Sequence, residues 1–251
     1  MTDRHPVVFI HGLWLHASSW DPWVQLFAGY GYAAVAPAWP GDGPTVQATR
    51  EGHGALSGRG ISEVIEHHAQ IARSFIARPV LIGHGLGGLL ALTLAAETHA
   101  AGVIAIEALQ GAAMAPPTAE PTGGFGPVAL SRHEFRVVYG SALSREESDQ
   151  LYERWAIPAP EWALDQPGLP DSLAARSGAR MTNSSRGPTL LVASGENRSQ
   201  RAAQHASGEL SLLAAASDVV VFHGRGASLV IDNGWRQVAE SCLSWLDAQE
   251  L

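Results

Sequence analysis

The sequence predicts a doubly wound α/β domain built on a mostly parallel sheet, and three observations carry that prediction. Short, largely apolar runs recur at 7–10, 79–82, 102–106, 188–193 and 218–222. Strands without polar alternation need cover on both faces, as in a parallel sheet. Stretches with apolar residues at helical spacing lie between several of them. Finally, Pro79-Val80-Leu81-Ile82-Gly83-His84-Gly85-Leu86-Gly87-Gly88-Leu89-Leu90-Ala91 runs from strand to small-residue helix through a glycine-dense turn. That is the layout of a sharp strand-to-helix elbow.

In chain order, the strand at 7–10 ends in His11-Gly12-Leu13-Trp14-Leu15-His16. Ser18 or Ser19 is placed to cap a helix reaching about Tyr30, with Trp20, Trp23, Val24 and Phe27 on its apolar face. Residues 32–36 are expected as a second strand. Pro37 to Pro44 is loop by its Pro and Gly content, and loop character is expected to continue to Gly60. Residues 61–77 place Ile61, Val64, Ile65, Ala69, Ala72, Phe75 and Ile76 on one helical face. After the elbow and its helix, the strand at 102–106 ends at Glu107.

From Ala108 the texture changes. Residues 112–127 are rich in Pro, Gly and Thr without a period, as in a loop or flap. A charged helix is expected at 144–155, then the proline-punctuated run Ile157-Pro158-Ala159-Pro160-Glu161-Trp162. Strand texture returns at 188–193 and 218–222, and 234–249 closes the chain as a helix with Val238, Cys242, Trp245 and Leu246 facing inward. The expected division is a core of residues 1–107 and 188–251, with 108–187 inserted as a cap over the C-terminal edge of the sheet.

Composition narrows the function. The 251 residues carry a net charge of −8 and no basic stripe, which argues against nucleic acid. All 16 basic residues are Arg, so Schiff-base chemistry on a lysine is excluded. Cys242 is the only cysteine, which rules out internal disulfides and cysteine metal clusters. Eleven histidines include the adjacent His67 and His68, but no H-x-x-x-H or H-x-x-E-H spacing occurs, and no metal is expected. No dinucleotide fingerprint stands apart from the elbow glycines, so no cofactor is expected either. The start shows no signal-peptide pattern, and no apolar run approaches the roughly 18 residues of a membrane span. A cytoplasmic protein with a small-molecule partner is expected.

Gly83 and Gly87 bracket one position at the elbow, where Ser, Cys or Asp would stand as a nucleophile. Here it is Gly85. The chain resembles α/β-hydrolase-fold proteins, similar to the small bacterial members related to esterases and lactonases, over essentially its whole length. His11-Gly12 matches that family's oxyanion-loop motif, and Gly83-His84-Gly85-Leu86-Gly87-Gly88 matches its G-H-S-x-G-G elbow. The family's Gly-then-Asp motif falls on Gly195-Glu196-Asn197-Arg198, and its histidine context on Arg225-Gly226-Ala227-Ser228. Under this resemblance Gly85, Asn197 and Ala227 occupy the Ser, Asp and His positions, so acyl transfer through a covalent intermediate is not expected. His223 could replace the missing imidazole or be a satisfied surface residue.

Backbone chemistry survives such losses. The N–H groups of Leu13 and Leu86 are expected to converge on one spot, helped by the dipole of the elbow helix. His84, Glu107 and His16 are the candidate acid–base residues, each with a structural alternative: packing beside the elbow, a satisfied carboxylate, a loop brace. His11 is read as a brace of the oxyanion loop, and Asp42 and Asp232 as turn and capping residues. Trp14, Trp39, Tyr139, Trp155 and Trp162, with Tyr152, suggest an apolar or aromatic substrate against the alternative of packing within the cap. The leading expectation is a cofactor-free, non-hydrolytic enzyme catalysing elimination or dehydration, cyclisation, isomerisation or rearrangement of a small apolar molecule of the natural-product class. The alternatives are an inactive ligand-binding or scaffold protein, and a hydrolase that activates water.

Overall fold

A computed structural model describes residues 4–108, 126–162, 187–195 and 216–251. Its strands are β1 (Val7–Ile10), β2 (Ala34–Val35), β3 (Val80–His84), β4 (Gly102–Ile106), β5 (Thr189–Ser194) and β6 (Asp218–Phe222). Its helices are α1 (Asp21–Gly29), α2 (Val46–Glu51), α3 (Ile61–Ser74), α4 (Leu86–Glu97), α5 (Arg132–Val138), α6 (Arg145–Trp155) and α7 (Trp235–Ala248). The six strands form one parallel sheet in the order β2-β1-β3-β4-β5-β6. The predicted fold class is the observed one.

This order places the site. The chain leaves β1 toward β2 on one side and returns to pair β3 on the other, so the winding reverses between β1 and β3. Connections diverge there and open a crevice at the carboxyl ends of the strands. Ile10 pairs with Gly83, which sets the 11–16 loop beside the elbow. The central strands are fully buried, as their unbroken apolar runs require. Helix α4 is apolar all round and packs on β3 and β4. On the other flank Phe9 stacks on Trp20 at 4.8 Å, and Trp23 and Phe27 meet Phe9 edge-on at 6.1 and 5.2 Å.

Several element boundaries differ from the sequence reading, each for a local reason. Ser18 and Ser19 lie inside a 3-10 turn, Ala17–Trp20, and α1 begins at Asp21 with Pro22 in its first turn. The second strand shrinks to two residues. The presumed loop before Gly60 holds α2, capped by Thr45, whose hydroxyl accepts the Ala48 N–H at 3.0 Å. Helix α3 stops at Ser74 because the chain extends before Pro79, leaving Ile76 exposed instead of on the buried face. His68, unpredicted there, joins that face. Among the described residues, no helix is long and apolar enough to cross a membrane, and no group of three or more His, Cys, Asp or Glu could hold a metal.

Candidate functional site

Backbone contacts shape the elbow. A Cβ on Gly83 would overlap the Gly87 carbonyl, and one on Gly87 would overlap the carbonyls of Ile10 and His11. Gly85 sits between them at φ 56°, ψ −123°, a conformation that side chains strain to adopt. Its N–H donates to the Ile106 carbonyl at 2.8 Å, tying the turn to the end of β4. Helix α4 starts at the next residue, so the Leu86 N–H is one of its free first-turn donors.

The facing wall is the 11–16 loop, where a Cβ on Gly12 would lie 2.8 Å from the His84 carbonyl. Trp14 takes φ 56°, unusual for a bulky residue, and is held there by remote partners. Tyr139, the C-cap of α5, donates its hydroxyl to the Leu13 carbonyl at 2.5 Å. The Trp14 indole N–H donates to Val128 O at 3.0 Å, Ile157 N–H to Trp14 O at 3.1 Å, and His16 N–H to Trp155 O at 3.0 Å. Full burial raises the Tyr139 phenol, so it stays a donor. Among the described residues, neither Leu13 N–H nor Leu86 N–H has an acceptor.

The candidate acid–base residues have different surroundings. His84 is fully buried, and desolvation lowers it to about 4, partly opposed by its contact with the Ala227 carbonyl. Its Nε2 lies 2.9 Å from that carbonyl. A carbonyl only accepts, so Nε2 carries the proton and Nδ1 keeps its lone pair, buried and without a partner among the described residues. His16 Nε2–H donates to Gly43 O at 3.1 Å, while its Nδ1 accepts from the Ser18 N–H at 3.1 Å and hydroxyl at 2.7 Å. Both nitrogens of His16 are thus occupied in bracing the loop. Glu107, buried at φ 55°, accepts the Ser194 N–H with Oε1 and bridges the ends of β4 and β5.

The positions that the family resemblance sets against a triad distribute as follows. Ala227 is buried on the turn after β6, in direct reach of His84. That turn is rigid: Asp232 accepts from Ser228 at 2.9 Å and from Gly234 N–H at 2.9 Å, and pairs with Arg225. Asp232 is therefore a brace, as expected. Asn197 and its neighbour Glu196 lie outside the described residues. His223 is exposed beside Gly195. Trp14, Trp39, Tyr139, Trp155 and Trp162 are buried, and Tyr152 is half-buried. Trp39 stacks on His11 at 4.9 Å and Trp162 on Trp39 at 6.1 Å. Tyr139 lies 6.0 Å from the His84 ring, and Trp155 carries Arg154 over its face at 4.4 Å. Asp42 closes a turn as expected, its N–H donating to Trp39 O at 3.0 Å, and its carboxylate is in addition buried 3.3 Å from His11 Nε2.

Comparison with known proteins agrees with this architecture. The model of the alpha/beta hydrolase family matches residues 7–241. No curated protein matches the sequence. Among solved structures, tomato methylketone synthase I complexed with 2-tridecanone is similar at 12% identity, covering 98% of this chain and 99% of that one, with a TM-score of 0.68. Paleococcus ferrophilus monoacylglycerol lipase is similar at 18% identity, 98% and 96% coverage and a TM-score of 0.63. A methylesterase from Arabidopsis follows at 16%, 97% and 99%, and 0.63. At these identities the likeness is one of fold.

Proposed function

The chain belongs to the alpha/beta hydrolase family, and we propose that it is a cofactor-free, non-hydrolytic member that works without a Ser-His-Asp triad. The observation that carries this reading is the elbow: Gly85 keeps the strained turn and offers no nucleophile, while the Leu13 and Leu86 amides have no acceptor among the described residues. The subgroup it resembles is that of small bacterial esterases and lactonases. Residues 108–187 act as a cap on the core of 1–107 and 188–251, supported by the bonds from Val128, Tyr139, Trp155 and Ile157 to the 11–16 loop. The protein works in the cytoplasm, where its buried Cys242 thiol, pushed up to about 12 by desolvation, is inert.

The chemistry follows from the two amides and one base. A substrate carbonyl oxygen sits between Leu13 N–H and Leu86 N–H, with the N-terminus of α4 behind it. His84 Nδ1 is the base: it is neutral at working pH and takes the proton from the carbon next to that carbonyl. The electron pair of the broken C–H bond moves onto the oxygen as an enolate. Collapse of the enolate expels a β-leaving group, as in dehydration or another elimination, or returns the proton elsewhere, as in isomerisation. Cyclisation or another rearrangement can follow from the same intermediate. Glu107 is the second base candidate, on its positive φ at the catalytic edge.

The substrate is small and apolar or aromatic, a natural product by class, matched to Trp14, Trp39, Tyr139, Trp155 and Trp162. An apolar ketone, 2-tridecanone, occupies tomato methylketone synthase I on the same fold. The test is incubation of substoichiometric protein with metabolite extract from the source organism, followed by mass. Multiple turnovers giving a product isomeric with its substrate or lighter by water are expected, with His84→Ala inactive and Glu107→Gln separating the two bases. Activity is expected to persist below pH 6.5 and to fail only toward about 4, where His84 protonates. Stoichiometric retention without turnover would make the protein a binding or scaffold module, and solvent oxygen-18 in the product would make it a water-activating hydrolase.

A further inference from the structure

The proposed site leaves one buried charged group unused. Asp42 and His11 are each only 2% exposed at the side chain and approach at 3.3 Å, close as an ion pair though not aligned as a hydrogen bond. Taking a carboxylate out of water is costly unless a partner compensates it. Trp39 lies on the His11 ring at an interplanar angle of 28°, and Trp162 on Trp39 at 18°, so the imidazole and the two indoles form one stack. Another titratable side chain in electrostatic reach is His68 on α3. Its Nδ1–H donates to Val64 O at 2.8 Å, and it stays neutral.

Counting protons fixes what the pair does. His11 Nδ1 lies 3.0 Å from the carbonyl of Gly12, which can only accept, so Nδ1 carries a hydrogen. Nε2 then faces Asp42 Oδ2 across 3.3 Å, without the alignment of a hydrogen bond. The ring is a fixed donor to Gly12 O, that carbonyl shares its peptide with the Leu13 N–H, and the Asp42 carboxyl stands against the far side of the same ring.

We propose that Asp42 and His11 form a buried positioning relay that orients and polarises the Gly12–Leu13 peptide, strengthening the Leu13 N–H as an oxyanion donor. Drawing electron density onto Gly12 O raises the positive character of the Leu13 N–H, as in any chain of hydrogen bonds. The ligand class is an oxyanion: a carboxylate, or an enolate formed in the pocket. The inference rests on the non-hydrolytic reading only in giving the Leu13 amide that task.

The experiment uses the full-length 15N-labelled protein, with octanoate as an apolar carboxylate probe. In the native protein, long-range imidazole spectra are expected to show His11 protonated at Nδ1 and His84 at Nε2; an unprotonated His11 Nδ1 overturns the relay without any variant. In Asp42→Asn, the Leu13 amide proton is expected to lose downfield shift while Leu86 stays in place, and octanoate affinity to fall roughly fivefold to tenfold. An unchanged Leu13 resonance and unchanged affinity in that variant overturn the relay. If octanoate moves neither amide in the native protein, the oxyanion reading fails, and the Leu13 shift without ligand still decides the relay.

Discussion

The two walls of the site are built in opposite ways. The elbow, 83–88, takes its shape from close backbone contacts, with glycine wherever a Cβ would collide, and is tied to Ile106 and Ala227 through their carbonyls. The 11–16 loop is held from afar, by Val128, Tyr139, Trp155, Ile157, Gly43 and Asp42. A wall made of backbone can lose its central side chain without losing shape, because nothing in its geometry depends on that side chain. A wall made of remote contacts is only as rigid as each contact. Under the proposed function, this is how an oxyanion site persists with Gly85 at the elbow, and why its tuning falls to the loop.

The largest expected effect is at the elbow. Gly83→Ala forces a Cβ into the Gly87 carbonyl, with no flexible neighbour to yield; we expect a loss above about 4 kcal/mol, seen as absent soluble protein or a collapsed urea midpoint. A near-native midpoint would mean that the elbow can relax and would erase the contrast. Acid comes next. Burial holds His84 and His68 at about 4 and about 3, against 6.5 for an unperturbed histidine. The unfolded chain therefore binds protons that the folded chain refuses. Stability is full above pH 6.5 and falls as pH drops toward 4 and then 3, by up to about 1.4 kcal/mol per pH unit for each histidine. Urea midpoints that stay flat between neutral pH and about pH 4.5 would contradict this.

On the loop side, Tyr139→Phe removes the donor to Leu13 O and leaves a buried carbonyl unsatisfied. The expected cost is about 1–3 kcal/mol, with faster amide exchange confined to the 11–16 loop. Exchange that rises equally at 83–88 would show that the walls are one unit. The smallest effect is Gly85→Ser, which places a side chain at φ 56°. We expect roughly 1–3 kcal/mol of destabilisation, toward the low end because the elbow geometry already exists. It should bring no hydrolysis of p-nitrophenyl acetate, since Ala227 supplies no imidazole. Burst kinetics from that variant would disprove the account of the site.

Legibility followed the same divide. The elbow was readable because Gly83, Gly85, Gly87 and Gly88 are adjacent in sequence, and the buried strands because their apolar runs are unbroken. The turn at Asp42 is legible in its Pro- and Gly-rich loop and is present, but the burial of its carboxylate against His11 is not, because a carboxylate in such a loop is ordinarily solvated. His16 looked like an acid–base candidate by its place on the loop, yet Ser18 and Gly43 take both its nitrogens. Ile76 fitted the α3 stripe by periodicity, but the periodicity could not register that the helix ends before it.

By itself the sequence determined the parallel α/β sheet, the elbow and the absence of a nucleophile at Gly85, because strand burial and glycine turns are encoded within a few neighbouring residues. Only the tertiary structure decided which histidine nitrogens keep a lone pair, that Tyr139 clamps Leu13, and that Asp42 meets His11. Those outcomes depend on burial and on partners up to 143 residues away, as between His84 and Ala227, and no local pattern carries that information.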